Sequence, residues 1–176
     1  MIPLGSRPPA FSLPDVRTGA DVCSSELPNL PLLVIFMCRH CPYVVHIGAG
    51  LATLGEDYRE RVAIIGISSN DAASYPDDSP ASLAEFADSL ALGFPLLYDE
   101  TQEVARAFSA ACTPDFFLFD GDHGLVYRGQ FDDSRPSSSR PVTGASLRTA
   151  LDAVVAGEPV GADQRPSIGC NIKWKS

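Results

Sequence analysis

The chain has 176 residues, 45% of them hydrophobic and 20% charged, as expected for one globular domain with a sizeable core. Its net charge of −9 argues against nucleic acid as a partner, because an acidic protein repels phosphate backbones. The sequence has no apolar run of about 18 residues that would predict a membrane span. The N-terminus also lacks the basic start and apolar stretch of a secretory signal. We therefore expect a cytoplasmic protein with no membrane partner.

The N-terminal half predicts an extended arm followed by a strand-helix-strand unit. The segment "PPAFSLPDVRTGADV" is punctuated by Pro and Gly, which is typical of an extended arm or hairpin. Residues 32–37 form an unbroken apolar run, which indicates a strand buried on both faces. Over residues 43–58 apolar side chains recur every three or four positions, as on one face of a helix. A second buried strand at 62–67 completes a parallel unit with a right-handed crossover.

The C-terminal half predicts shorter elements and a hairpin. Ser79 followed by Pro80 is typical of a helix start. A short strand at 96–98 precedes a short helix that we expect Asp99 to cap. The stretch "TPDFFLFDGDHGLVYRGQ" reads as two strands around a tight turn. A last helix at 145–156 ends at Gly157.

These elements predict an α/β fold with helices on both faces of one mixed sheet, which is a three-layer α/β/α sandwich with an N-terminal extended arm or hairpin. We expect one domain over residues 1–160. The remaining residues 161–176 show no periodicity, and we expect them to form a tail packed on that domain. In that tail Trp174, the single tryptophan, is expected to bury its ring as an anchor.

The segment "CRHC" carries the clearest chemistry in the sequence. Cys38 follows the first buried strand, where a helix is predicted to begin, and a helix N-terminus stabilises an anion such as a thiolate. Cys41 is within one turn and close enough to form a disulfide with it. Cys38 is thus the expected nucleophile and Cys41 the resolving thiol. Arg39 and His40 between them are expected to favour the thiolate.

Two other readings of this pair are a reduced core pair and half of a metal site. Core packing gives no reason for two charged or polar residues between the cysteines. A zinc site needs about four ligands, and a second Cys-x-x-Cys or a His-x-x-x-His is missing from the sequence. The candidate extra ligands are single residues: Cys112, Cys170 and His46. A redox disulfide is therefore favoured, with no metal. The odd number of cysteines, five, also does not fit a secreted disulfide scaffold.

Three stretches of the sequence resemble the thioredoxin superfamily and, within it, the alkyl hydroperoxide reductase/thiol-specific antioxidant (redoxin) branch. They are "PPAFSLPDVRTG", "FMCRHCPYV" and "CTPDFFLFDGDHGLVYRGQFDD". More narrowly, the chain resembles small bacterial thioredoxin-family proteins described as thiol-disulfide isomerases, which share a C-x-H-C-P-Y-V motif, "FDDSRP" and "GCNIKW". The resemblance implies a thioredoxin-like fold and disulfide exchange with a disulfide-containing protein or a small thiol. It implies no prosthetic cofactor, and a thiol reductase or small thiol as the external reductant.

The resemblance also assigns roles around the cysteine pair. It implies that Pro114 is a cis-proline facing the active site, and that the backbone of Thr113 can pair with a substrate strand. His40 matches the residue before the second cysteine in strongly oxidising members. We therefore expect a reduction potential above the value of about −270 mV for thioredoxin, nearer about −200 mV.

Two alternative functions are weighed against this one. A peroxiredoxin-like thiol peroxidase would carry Pro-x-x-x-Thr-x-x-Cys, but Ile35 stands at the threonine position, and Arg128 is the candidate for the arginine of such a site. A copper-binding module would suit soft thiolates, but such modules have wider cysteine spacing and a late histidine, and no histidine follows His123.

Two further cysteines are candidates for an additional redox thiol. Cys112 lies two residues before Pro114, and is expected to be either a small buried side chain or a third redox thiol. Cys170 lies in the tail, from which it could reach the active site and act as an extra resolving thiol.

Overall fold

The computed structural model of the protein describes residues 2–176. Its strands are β1 (Ser12–Pro14), β2 (Asp21–Cys23), β3 (Leu32–Phe36), β4 (Ala63–Ser68), β5 (Leu96–Tyr98), β6 (Cys112–Thr113), β7 (Asp115–Phe119), β8 (Leu125–Gly129) and β9 (Cys170–Asn171). Its α-helices are α1 (Pro42–Tyr58), α2 (Pro80–Ser89), α3 (Glu103–Ala107) and α4 (Ala145–Val155). Within these residues the helices are too short or too polar to cross a lipid bilayer.

The central sheet is mixed and has the strand order β5-β4-β3-β7-β8. β3, β4 and β5 are parallel, whereas β7 lies antiparallel to β3 and to β8. β1 and β2 form the N-terminal hairpin. The parallel unit, the late hairpin and the arm are thus confirmed. β6 and β9 form a separate antiparallel pair, which the sequence did not predict.

The three-layer arrangement follows from β3, whose residues are all buried. Leu33 and Ile35 pack in a first core with residues of α1, α2 and α4, and alternate side chains of the strand pack in a second core with α3, the arm and the tail. Helices on both faces therefore cover a sheet of apolar strands, and the predicted sandwich is confirmed.

Local capping explains where the shorter helices begin and end. Ser79 accepts a hydrogen bond at 3.4 Å from the backbone N–H of Ser82, and Pro80 opens α2 as predicted. The Asp99 carboxylate accepts from the N–H of Ala105 at 2.9 Å, although the cap position itself is Gln102. α4 ends just before Gly157, whose φ of 70° suits a residue without a side chain.

The tail packs over the second core, but not through its tryptophan. Ile172 is the buried residue of this segment, with 3% of its surface exposed. The ring of Trp174 is instead 39% exposed and stacks on the Arg106 guanidinium, whose carbon lies 4.5 Å from the ring centroid. The expectation of a buried Trp174 ring is therefore wrong, because the smaller Ile172 fills the core position and leaves the indole at the rim.

Candidate active site

The register of the sheet brings the cysteine segment against Thr113 and Pro114. Phe36, at the end of β3, lies opposite Asp115, at the start of β7, in the antiparallel ladder. The chain therefore leaves β3 towards Cys38 at the edge where it enters β7 from Pro114. The Thr113–Pro114 peptide bond is cis, as the resemblance implied. Two segments separated by more than 70 residues thus form one site.

Both thiols of the pair contact the same threonine. The Sγ of Cys38 lies 3.2 Å from the Thr113 hydroxyl oxygen. The Sγ of Cys41 lies 3.1 Å from the Thr113 carbonyl oxygen. Cys38 and Cys41 have 1% and 0% of their surface exposed, so the pair lies below the protein surface. The structure thereby places the predicted redox pair in direct contact with Thr113, one of the two predicted substrate-side residues.

The helix N-terminus acts mainly on Cys41, not on Cys38 as the sequence suggested. α1 begins at Pro42, and Cys41 is its N-cap residue. The bend formed by residues 39 and 40 puts Cys38 ahead of the helix. The unpaired N–H groups and partial positive charge of the first turn are therefore nearest to the Cys41 thiol.

The two thiols titrate as one coupled pair. The hydrogen bond from Cys38 is the largest cause that lowers the pKa of Cys41 to about 4, against the effect of burial, and Cys170 and Thr113 act in the same direction. The same hydrogen bond and burial raise the pKa of Cys38. The reduced pair thus holds one thiolate at neutral pH, centred on Cys41, with the proton on Cys38.

A buried aspartate, Asp78, holds the loop between the cysteines. Its side chain has no exposed surface, and its Oδ1 accepts from the backbone N–H of Arg39 at 2.8 Å. Its Oδ2 accepts from the Asn70 side-chain amide at 2.8 Å and also contacts Nδ1 of His40. The sequence did not reveal this residue, because Asp78 lies in a polar loop directly beside the exposed Asp77. No local pattern distinguishes the two.

Arg39 and His40 have different surroundings. The His40 ring is fixed by Asp78 and stacks on Tyr75, with ring centroids 5.5 Å apart. The Arg39 guanidinium donates to the Ser82 carbonyl at 3.0 Å and pairs with Glu85 at 3.1 Å, and so ties the loop to α2. The expectation that Arg39 favours the thiolate is corrected accordingly, because the charge of its guanidinium is held by groups on α2.

Of the two candidate additional thiols, Cys170 reaches the site. It lies in β9, opposite Thr113 in the β6–β9 pair, and its Sγ lies 2.9 Å from that of Cys41. Cys112 is buried in β6, with its Sγ 3.7 Å from the Pro114 carbonyl oxygen. Burial raises the pKa of Cys112 to about 12, so this side chain stays a neutral thiol, as a packing residue would.

Within residues 2–176, one group of side chains has donors close enough to hold a metal ion. It comprises Cys38, His40 and Asp78, whose donor atoms lie within 4.8 Å of one another. Three donors are fewer than a structural zinc site uses, and Asp78 already contacts the His40 ring. The extra ligands considered from the sequence lie outside this group: Cys112, Cys170 and His46. The arrangement fits a hydrogen-bonded thiol site better than a metal site.

Comparison with known proteins places the chain among redoxins. The model of the AhpC/TSA family matches residues 4–128. No curated protein matched the chain. A conserved protein of Geobacillus kaustophilus is 50% identical, with a TM-score of 0.96, over 99% of this chain and 94% of that one. A hypothetical protein of Sinorhizobium meliloti is 46% identical, with a TM-score of 0.97, over 100% and 97% of the two chains.

A more distant structure shares only the fold. The thiol:disulfide interchange protein of Chlorobium tepidum, a thioredoxin family protein, is 15% identical, with a TM-score of 0.67, over 88% of this chain and 99% of that one. The family model covers most of the chain, and the mixed sheet with a thiol pair after β3 agrees with it. The chain therefore belongs to the AhpC/TSA family, in the redoxin branch of the thioredoxin superfamily.

Proposed function

We propose that the protein is a thiol-disulfide oxidoreductase that exchanges disulfides with protein or small-thiol partners through Cys38 and Cys41, and that it can act as an isomerase. The contact of both thiols with Thr113, next to Pro114, is the observation that carries this proposal. That contact puts a thiolate beside the short strand β6, along which a substrate peptide would pair.

The chemistry needs only the two thiols and a proton transfer between them. The proton of Cys38 passes to Cys41 along their shared hydrogen bond, and the Cys38 thiolate attacks one sulfur of the substrate disulfide. This forms a mixed disulfide and releases the other substrate sulfur as a thiolate. Cys41, once deprotonated again, attacks the Sγ of Cys38, which forms the Cys38–Cys41 disulfide and releases the second substrate thiolate.

The neighbouring residues tune this exchange. The Thr113 hydroxyl stabilises the thiolate, since its hydrogen bond lowers the pKa of both Cys38 and Cys41. His40 lies between the cysteines and is held by Asp78. We propose that His40 keeps the potential of the couple above the value of about −270 mV for thioredoxin. No prosthetic cofactor is needed, because an external thiol supplies the electrons. We also propose a cytoplasmic location, where a close pair of cysteines is more often catalytic than structural.

A thiol peroxidase is the second candidate, and the AhpC/TSA family match favours it. Two residues count against it. Ile35 is buried and apolar at the position where the peroxidase pattern has a threonine hydroxyl. Arg128 lies opposite Phe117 in the β7–β8 ladder, and the Phe117 side chain belongs to the second core, on the sheet face away from the cysteines. The Arg128 guanidinium also donates to the Ile2 carbonyl in the arm.

A glutathione redox titration with mass mapping of the disulfides tests the proposal. We expect a Cys38–Cys41 bond with a potential above that of thioredoxin. Cys38→Ser should abolish disulfide exchange, and Cys41→Ser should accumulate mixed disulfides, because the second attack is then missing. Cys23→Ser, in the N-terminal hairpin, is the matched control. Full turnover by the Cys38→Ser variant, or peroxide reduction faster than disulfide exchange, would contradict the proposal.

A metal titration tests the remaining alternative, a copper-binding module. Cysteine thiolates suit Cu(I), and Cys38 and His40 are two of the three clustered donors. We propose that the reduced protein binds neither Cu(I) nor zinc stoichiometrically. One tightly bound equivalent of either ion, lost on replacing His40 with Ala, would make metal transfer the better reading.

A further inference from the structure

The C-terminal tail occupies the strand position beside Thr113. β9 pairs antiparallel with β6, so that Cys170 lies opposite Thr113 and Asn171 opposite Cys112. This edge is where a substrate strand would pair under the proposed function, on which the following inference rests. The chain thus carries its own strand, with a cysteine in it, at the substrate side of the thiol pair.

Hydrogen bonds fix the tail on the C-terminal side of Cys170. The N–H of Lys173 donates to the Asn70 side-chain oxygen at 2.8 Å, and its carbonyl accepts from the N–H of Asp71 at 2.9 Å. The N–H of Lys175 donates to the Gln102 side-chain oxygen at 2.8 Å. Asn70 also binds Asp78, so one amide side chain joins the tail to the loop that carries the thiol pair. The position of Cys170 is therefore built into the fold.

A glycine permits the close approach of the tail. A Cβ on Gly169 would lie 1.9 Å from the Thr113 carbonyl oxygen and 2.6 Å from its carbon, which is closer than any side chain can tolerate. Gly169 directly precedes Cys170, and only a residue without a side chain lets β9 reach β6 here. The tail is thus fitted to the Thr113–Pro114 segment.

Cys41 is the middle member of three thiols. It shares hydrogen bonds with both Cys38 and Cys170, and its Sγ lies 2.9 Å from that of Cys170. A disulfide has an S–S length of about 2.05 Å, so the two sulfurs would need to approach by roughly 0.9 Å to bond. We propose that Cys170 is the third thiol of the redox centre, and that the Cys38–Cys41 disulfide exchanges with a Cys41–Cys170 disulfide in the same chain.

The exchange is balanced without any other reactant. The Cys170 thiolate attacks the Sγ of Cys41, the Cys41–Cys170 bond forms, the Cys38–Cys41 bond breaks, and Cys38 leaves as a thiolate that takes up the proton lost by Cys170. No electrons enter or leave, so the chain stays oxidised by two electrons. Its consequence is that the oxidised protein regains a free Cys38, which can attack a wrongly paired disulfide in a substrate.

The electrostatics of Cys170 fit this order of events. In the reduced protein its pKa is raised to about 11, first by burial and then by the hydrogen bond and charge of Cys41. The contributions from Cys41 vanish once that residue is in a disulfide, whereas the charge of Lys173 continues to favour the Cys170 thiolate. Oxidation of the pair therefore removes two of the three causes that raise the pKa of Cys170, and only burial remains.

Mapping the disulfides of the wild-type chain in the graded glutathione series, with free thiols blocked, tests the exchange. We expect cross-linked peptides that join Cys41 to Cys38 and Cys41 to Cys170. A Cys38–Cys41 bond with Cys170 blocked as a free thiol at every potential would overturn this inference and leave the proposed function standing. If no Cys38–Cys41 bond forms, both fail. Pairing of Cys170 with Cys112 alone would also overturn the inference.

Two variants separate a redox role of Cys170 from a structural one. Cys170→Ser keeps a hydrogen-bond donor beside Cys41 and removes only the third thiol. It should lower the apparent equilibrium constant for oxidation about twofold if the two disulfides are equally populated, because one of two oxidised forms is lost. Cys23→Ser should leave that constant unchanged. Gly169→Ala should abolish the Cys41–Cys170 cross-link and keep the Cys38–Cys41 bond, since the added Cβ displaces the tail. Circular dichroism shows whether each variant folds. An unchanged constant in Cys170→Ser would overturn the exchange, whereas a retained Cys41–Cys170 cross-link in Gly169→Ala would contradict only the role given to Gly169.

Discussion

Replacing Thr113 with Val isolates the effect of one hydroxyl on the thiol pair. Thr113 and Val have similar shapes, and the Thr113 carbonyl that contacts Cys41 stays in place, as does the β6–β9 pairing. What is lost is the hydroxyl 3.2 Å from the Sγ of Cys38. Because that hydroxyl lowers the pKa of both thiols, its removal should raise the pKa of the pair.

The size of the effect follows from the charge on the acceptor. A hydrogen bond to a charged group contributes about 1.5–3 kcal/mol, which corresponds to roughly 1–2 pKa units. The pKa of Cys41 is about 4 in the wild type and should therefore rise by roughly 1–2 units. It would still lie below neutral pH. The thiolate then remains formed at neutral pH but is less stable, so the whole loss appears in the equilibrium with the disulfide. The reduction potential should fall by about 30–60 mV.

Two measurements check this. The ultraviolet absorbance of the thiolate against pH gives the pKa, and equilibrium with glutathione gives the potential. Thr113→Ser is the matched control, since it keeps the hydroxyl and loses only a methyl group. The reasoning would be refuted if Thr113→Val had the wild-type pKa and potential, or if Thr113→Ser shifted them as far as Thr113→Val does.

Two buried carboxylates give the remaining predictions. Burial raises the pKa of Asp115 from 3.8 to about 6, so the native state binds more protons than the unfolded state between these values, and its stability falls as the pH rises through that window. Asp115→Asn should therefore stabilise the reduced protein by about 3 kcal/mol at pH above 7 and have little effect near pH 4, measured by urea unfolding. The exposed Asp163→Asn is the control, and an equal gain at both pH values would contradict the argument. Asp78→Asn should lower the stability by about 1–3 kcal/mol, because the new amide N–H₂ would face the N–H of Arg39 or the side-chain amide of Asn70, which are both donors. It should also lower the pKa of Cys38, which the charge of Asp78 raises. The exposed neighbour Asp77→Asn should change neither quantity, and a shift of the same size there would count against a specific role for Asp78.

The parts of the fold with a local cause could be predicted from the sequence. β3 is an unbroken apolar run because both faces of the sheet are covered, and α1 shows its buried face as a repeat of three or four residues. The pair β6–β9 has no such signal. Each of its strands has only two residues, and the pairing joins segments far apart in the sequence. The pairing arises because the tail fits against Thr113 at Gly169, and this contact exists only once the rest of the domain has folded.

The residues of the candidate site also fall into those that the sequence indicates and those that it does not. Cys38 and Cys41 were found from their spacing after a buried strand, and Thr113 and Pro114 from the resemblance of the segment that contains them. Asp78 was missed because its partners come from the loop of Arg39 and from Asn70, neither of which identifies it in the sequence. Hydrogen bonds between a buried carboxylate and residues distant in the sequence produce no periodic pattern from which that carboxylate could be identified.

The surroundings of the pair explain why its charge is on the second cysteine. The Cys41 side faces the N-terminus of α1 and the thiol of Cys170, which both stabilise an anion. The Cys38 side faces the buried carboxylate of Asp78, which disfavours an anion. The helix N-terminus and Cys170 on one side and Asp78 on the other therefore all favour the proton on Cys38 and the negative charge on Cys41. The thiol proposed to attack the substrate is therefore protonated at rest, and the charge of Asp78 helps to hold that proton on Cys38.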